Sequence, residues 1–256
     1  MTEYPEFRLT GMTALVTGAA RGIGRAIALA LADAGADVAV GLRVPGTADD
    51  LVERIRQMGR RSLAVPMDVA DLAQVGPAVE RVRDHFGRLD ILVNNAGLGP
   101  ANPAEDVTEA DFDLTMAVNV KGLFFASQAA ARVMIEQGFG RIVNLSSQAG
   151  FVALPTESIY CASKAAVAHL TRCLAVEGGQ HGITVNAVAP TFIRTDGTAA
   201  DLADPAFEAD VRERIAGLHR IGEPVDVAGG VVFLASPAAS LVTGTTLLID
   251  GGWTAR

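Results

Sequence analysis

Seven short apolar runs, alternating with stretches of helical character, constrain this chain more than any other feature. They are "MTALVT" (12–17), "DVAVGL" (37–42), "SLAVPM" (62–67), "LDILVN" (89–94), "GRIVNLS" (140–146), "ITVNAVA" (183–189) and "TTLLID" (245–250). The runs are continuous rather than alternating, the pattern of strands covered on both faces of a parallel sheet. Helical signals lie over "GIGRAIALALADAG", with a stop at Gly35, and over about 48–58, 71–86, 109–137 and 224–235. The long stretch 109–137 changes character near Asn119, and a helix opening at "SIYCASKAAVAHL" stops early at "EGGQHG" (177–182). Strands alternating with helices, with no internal repeat and no long linker, predict one α/β domain over residues 1–256. The sheet is either open and doubly wound or closed as an eight-stranded barrel; a count of seven leans toward the open form.

The segment from about 190 to 224 holds no strand and one short helix near 205–216. An excursion of that length in a compact domain is expected to serve function, here as a lid. Half the residues are hydrophobic, enough for a sizeable core, and the net charge of −8 comes with no basic cluster. Nucleic acid and anionic membrane are therefore not expected partners. The beginning, "MTEYPEFRLTGM", lacks the apolar core of a signal peptide, and no run of about 18 apolar residues exists. Cys161 and Cys173 fall on one predicted helix, roughly 18 Å apart along its axis, too far to bridge. A reduced, cytoplasmic setting fits them, and nothing in the sequence asks for a metal.

Chemistry concentrates at the ends of the apolar runs. "TGAARGIG" (17–24) joins the first strand to its helix, with Gly18, Gly22 and Gly24 permitting a tight turn and a close backbone approach. Such a turn offers a helix start to a pyrophosphate, or is a glycine-rich turn with no ligand. "NNAG" (94–97) follows the fourth strand, where its Asn side chains bond loop backbone and Gly97 admits a ligand. Asp68 accepts a bond from an adenine amino group or caps the helix beginning near Asp71. Tyr160 and Lys164 sit four apart on one helical face.

In this order, "TGAARGIG", "NNAG", Asn119 in "NVKG", "NLSS" and Tyr160-x-x-x-Lys164 resemble the short-chain dehydrogenase/reductase family from "GMTALVTG" to "LLIDGG". The resemblance implies a single-domain Rossmann fold with a doubly wound, mostly parallel seven-stranded sheet. It also implies a nicotinamide cofactor, hydride transfer between an alcohol and a carbonyl, and a homotetramer packed through helices near 109–137 and 158–179. Carried over residue by residue, the catalytic set is Asn119, Ser147 (thirteen before the Tyr), Tyr160 and Lys164. The cofactor set is Gly18, Arg21, Gly22, Ile23, Gly24, Arg43, Asp68, Val69, Asn95, Ala96, Gly97, Tyr160, Lys164, Pro190, Ile193 and Thr195. Asn94 matches a residue that steadies the central strand. One departure is Pro190-Thr191 where the family commonly has Pro-Gly; it puts a β-branched residue and a hydroxyl near the expected nicotinamide.

Within that resemblance Tyr160 is the general acid/base, and a nearby ammonium on Lys164 is expected to lower its pKa. Ser147 bonds the substrate oxygen, and Asn119 holds a water that relays protons to Lys164. NADP(H) is the expected cofactor, with NAD(H) the alternative. Leu42 stands at the usual acidic position closing the second strand, and Arg43 and Arg21 suit a 2′-phosphate. "GGWTAR" and the general motif texture resemble relatives acting on sugars, polyols or sugar acids. Thr191, Phe192, Thr198, Gln148 and Glu157 are candidates to line a small-molecule site. The rivals are a 3-oxoacyl thioester reductase, against which "EQGFG" (136–140) offers no basic residues to an acidic carrier, and a non-catalytic dinucleotide-binding protein.

Overall fold

The computed structural model describes residues 4–255. Seven strands form one sheet in the order β3-β2-β1-β4-β5-β6-β7, every neighbouring pair parallel. They are β1 (Thr13–Thr17), β2 (Asp37–Leu42), β3 (Ser62–Pro66), β4 (Ile91–Asn94), β5 (Gly140–Leu145), β6 (Ile183–Pro190) and β7 (Thr246–Ile249). The sheet is open, which removes the barrel alternative, and wholly parallel. Between them run α1 (Gly22–Asp33), α2 (Asp49–Gln57), α3 (Leu72–Phe86), α4 (Glu109–Met116), α5 (Leu123–Gln137), α6 (Ser158–Gly178), α7 (Pro205–Arg214) and α8 (Pro224–Ala235).

Both faces of the sheet are covered, which is why the strands read as unbroken apolar runs. Ala14, Val16, Val38, Val40, Ile91 and Val93 pack on one side with residues of α1, α2 and α8. Leu15, Ala39, Leu92, Ile142 and Val185, one register step away, pack on the other with residues of α3 and α5. Connections reverse direction between β1 and β4, which pair Ala14–Val16 with Ile91–Val93, and the crevice outside their carboxyl ends is where such sheets take ligands. A third, smaller apolar cluster sits apart, under the segment after β6.

The break near Asn119 is a π-wound segment, Ala117–Gly122, inserted between α4 and α5. A Cβ on Gly122 would strike the carbonyl oxygen of Val69, so glycine lets this segment press onto the loop after β3. Wide single-turn windings of this kind gather at functional sites. Helix α6 ends at Gly178 and passes through a short 3-10 turn to Gly182 at φ +74°. No helix among the described residues is long and apolar enough to cross a membrane.

Candidate active site

Two strand ends build the glycine turn. Gly18 and Gly22 adopt φ of +64° and +55°, the left-handed region that glycine enters freely. Gly24 has no space for a side chain: a Cβ there would lie 2.6 Å from the Gly18 carbonyl oxygen. Asn95 fastens the turn from across the crevice, its Nδ2 donating to the carbonyls of Thr17 (2.9 Å) and Gly18 (3.1 Å). The backbone N–H groups of Asn95 and Ala96 donate in turn to Thr17 Oγ1 at 3.0 and 3.1 Å. Arg21, at the N-cap of α1, has extended backbone and provides no side-chain cap. The first-turn N–H groups and the positive end of the helix dipole therefore face the crevice, the donor set that a pyrophosphate requires. The rest of the crevice suits a dinucleotide too. Gly97 opens onto Lys164, whose Nζ lies 3.2 Å from where a Cβ would stand. The methyl of Thr195, in the segment after β6, lies 3.4 Å from the corresponding point on Gly22, beside Ile23.

Asp68 and Val69 follow β3 at the far side of the crevice. Asp68 does not cap α3; Asp71 does, its Oδ1 accepting from Ala73 N at 3.1 Å. Asp68 Oδ1 instead closes its own two-residue turn by accepting from Ala70 N. Leu42 is buried in the core and does not face the crevice, so the first side chain available beyond β2 is the exposed Arg43. Arg21 and Arg43 make no ion pair among the described residues.

The reacting groups gather where β5 ends. Ser146 and Ser147 diverge: Ser146 Oγ donates to the Lys164 carbonyl (2.9 Å), while Ser147 Oγ donates to Gln148 Oε1 (2.7 Å) and accepts from Ala149 N (3.2 Å). Of the two, Ser147, with Pro190 O 3.5 Å away, is the one whose hydroxyl stands beside Tyr160. Lys164 is buried, and its Nζ donates to the Leu145 carbonyl at 2.9 Å and stands 5.5 Å from the centre of the Tyr160 ring. Loss of water pulls the Lys164 pKa down to about 8.

Tyr160 corrects a sequence expectation. Burial pushes its pKa up to about 12, and the Ser147 hydroxyl offsets only part of that rise. The Lys164 ammonium, bonded to the Leu145 carbonyl and 5.5 Å from the ring centre, does not reverse it. By exposed surface Tyr160 is only half-buried, and the cover it has includes Gly99, where a Cβ would lie 2.5 Å from the ring: the loop after β4 lies directly on the side chain. Glu157, one turn before Tyr160, is held above the usual carboxylate range by burial and by the Asp201 charge on the lid.

Asn119 joins two elements through its side chain. Its Nδ2 donates to Leu98 O (2.7 Å) and Ser163 Oγ (2.9 Å), and its Oδ1 accepts from Leu98 N (2.9 Å). The side chain pins the β4 loop to α6. Asn94 does steady the centre of the sheet, its Nδ2 donating to Ser127 Oγ and Asn144 Oδ1, both at 2.9 Å.

Thr191 continues the β6–β7 pairing, its N–H donating to Ile249 O at 3.2 Å, and it avoids positive φ. Its Oγ1 is buried without a partner, and the residue lines a cavity of about 290 Å³ with Ile193, Ile215, Arg220, Asp226 and Asp250. None of Ser147, Tyr160 and Lys164 lines that cavity. Sequence reading missed Gly99, Ser163 and the Leu145 carbonyl. Gly99 had a signal, a second glycine two residues past Gly97, whereas a carbonyl acceptor has none.

Comparison with known proteins agrees with this geometry. A family model described as enoyl-(acyl carrier protein) reductase matches residues 18–254. A D-threitol dehydrogenase from Mycolicibacterium smegmatis is 42% identical, over 98% of this chain and 96% of that one. A 2-dehydro-3-deoxy-D-gluconate 5-dehydrogenase from Dickeya dadantii is 40% identical over 98% of both chains. A gluconate 5-dehydrogenase from Burkholderia cenocepacia, crystallised with NADP and tartrate, superposes with a TM-score of 0.95 at 38% identity, over 98% of both chains. Similar identities join it to an NAD-dependent glycerol dehydrogenase from Listeria innocua (39%, over 98% of this chain and 97% of that one) and a 3-oxoacyl-[acyl-carrier-protein] reductase from Synechocystis (40%, over 95% and 97%).

Proposed function

This chain belongs to the short-chain dehydrogenase/reductase family, and from there we propose that it interconverts a secondary alcohol and a ketone on a sugar, polyol or sugar acid, using NADP(H). The observation that carries the reading is the meeting of Ser147, Tyr160 and Lys164 at the end of β5, opposite the fastened glycine turn. The names of the threitol and deoxygluconate dehydrogenases support the substrate class. When bound, the nicotinamide supplies or takes up the hydride. Gly18, Gly22, Ile23 and Gly24 hold the pyrophosphate, with Asp68 and Val69 at the adenine and Ala96, Gly97, Pro190, Ile193 and Thr195 along the nicotinamide half. Ser147 bonds the substrate oxygen. Tyr160, protonated at neutral pH, gives its proton to the oxygen during reduction; in oxidation it first loses that proton to solvent, and the phenolate then takes the proton of the alcohol. Lys164 holds the ribose and keeps a cation close to the developing charge, and Asn119 fixes the loop that covers Tyr160.

Tyr160→Phe tests the assignment: it should retain cofactor binding and lose turnover by about 10²–10⁴-fold. Near wild-type turnover would overturn it. A panel of polyols, keto-sugars and a β-ketoacyl thioester reads the substrate class, and efficient turnover of the thioester alone would favour the carrier-protein reading.

The NADP(H) preference rests on Arg21 and Arg43, exposed and unpaired among the described residues, and on the absence of a carboxylate at the end of β2. A charged hydrogen bond contributes roughly 1.5–3 kcal/mol, enough for about ten-fold discrimination. Arg43→Ala should lower kcat/KM with NADP(H) about ten-fold and leave NAD(H) use unchanged. A wild type preferring NAD(H) would refute the arginine assignment. We also propose a homotetramer in the cytoplasm. Phe112, Leu114, Phe125, Ile135 and Val176 stand exposed on α4, α5 and α6, the helices expected to pack between subunits, and both cysteines are free.

A further inference from the structure

At the other edge of the sheet, Arg141 and Thr184 occupy matching register positions at the starts of β5 and β6. Neighbours in a parallel pair point to the same face, about 4.8 Å apart. Both are buried, at 6% and 9% exposure, and both leave a polar atom unpartnered: Arg141 Nε and Thr184 Oγ1. The guanidinium lies over the Phe139 ring, 4.3 Å from its centre, and spends Nη1 on the carbonyl of Gly140. It forms no ion pair among the described residues. The nearest carboxylate, Asp90, is already taken by the fork of Arg88 (2.7 Å to each oxygen) and by Thr13 N (2.8 Å). A guanidinium does not lose its charge in a protein, and an isolated buried charge is strongly unfavourable. Beside these two residues opens a cavity of about 220 Å³, rimmed by Gly182, Ser240, Leu241 and Thr243. Thr243 Oγ1 accepts from Val185 N, leaving its own hydrogen free to donate.

We propose that this cavity is an oxyanion site, in which a carboxylate or phosphate is held by Arg141 and Thr184 with Ser240 and Thr243 at the mouth. It lies about 20 Å from the reacting groups, the length of a six-residue strand, and is no part of the dinucleotide crevice. The oxyanion comes either from a small anion in solution or from an acidic side chain of a second copy docking around the fully exposed Leu241.

Thermal unfolding of the full chain, with NADP(H) saturating so that the crevice is filled, separates these sources. Phosphate is titrated against chloride at matched ionic strength, in wild type, Arg141→Met and Thr184→Val. For a free anion, wild type shows a saturable rise in Tm of roughly 4–8 °C. Arg141→Met shows none, and Thr184→Val needs several-fold more phosphate for half the effect. For a second copy, phosphate has no effect, wild-type Tm rises with protein concentration, and Arg141→Met dissociates at higher concentration in sedimentation. Identical behaviour of wild type and Arg141→Met in both measurements overturns the site. Should Arg141→Met fail to fold, unchanged phosphate response and unchanged assembly in Thr184→Val overturn it equally.

Discussion

Lys164 is an ammonium with a single protein partner, a carbonyl, in a place that water scarcely reaches. Its pKa of about 8 in the folded chain lies below the 10.5 of a free lysine. Between those values the unfolded chain binds a proton that the folded chain has released, so stability rises with pH across that window, by about 1.4 kcal/mol per unit. Lys164→Met removes the linkage. At pH 7 the variant escapes the desolvation of the ammonium but leaves the Leu145 carbonyl without its donor, and relative to the variant wild type should gain about 3 kcal/mol as pH climbs from 8 toward 10.5. Denaturation midpoints at several pH values check this, and a gap that stays constant would show that Lys164 is not the group responsible. Tyr160 acts in the opposite sense at higher pH: its folded pKa of about 12 exceeds the ordinary 10, so stability falls as pH rises through that interval. The family's spacing to Tyr160 picks Ser147 over Ser146 as the proposed reacting hydroxyl, and the structure gives the two hydroxyls different partners. The ionisation of Tyr160 and Lys164 was not legible. It depends on Gly99 covering the ring and on which carbonyl the lysine reaches, and neither follows from a four-residue interval.

At the scale of elements, strands and helices were readable nearly to the residue, since burial on both faces makes each strand a continuous apolar run. Helix α8 falls on the expected 224–235. The π winding at Ala117–Gly122 could be seen only as a change in character near Asn119, because it is imposed by contact with the loop after β3 and not by local propensity. Gly122→Ala sets two effects against each other. Alanine improves helix propensity by up to about 1 kcal/mol, but the new methyl meets the Val69 carbonyl, and overpacking against backbone destabilises by roughly 1–3 kcal/mol. The clash should win. The expected result is a net loss of stability of about 1–2 kcal/mol with a larger proportional loss of turnover, because Asn119 moves with the segment. Denaturant unfolding and kcat measured on the same preparation test it; turnover that falls only as far as the folded fraction would deny the segment a positioning role.

Across the whole molecule, the sequence marks the proposed lid, 190–224, as an excursion without a long strand but gives no sign of its private core. Trp253, next to the end of the chain, packs with Phe192 (5.7 Å between ring centres), Leu202, Val211, Ile215 and Ile221, away from the two clusters that flank the sheet. That partner lies some sixty positions away along the chain from Phe192, so no periodicity announces it. Trp253→Ala should therefore loosen the lid alone. Amide exchange should accelerate over about 192–221 and remain slow in β1, β4 and β5, with KM for the sugar-type substrate rising and cofactor affinity unchanged. Acceleration spread evenly over the sheet would contradict a separable lid. The glycine turn behaves differently from the lid, since Asn95 and Thr17 already tie it across the β1–β4 junction. A receptor loop fixed before its guest arrives has little freedom left to surrender. Calorimetry of dinucleotide binding should accordingly show a small entropic penalty, and Asn95→Ala should convert a fast, single-step association into a slower one that waits on the loop.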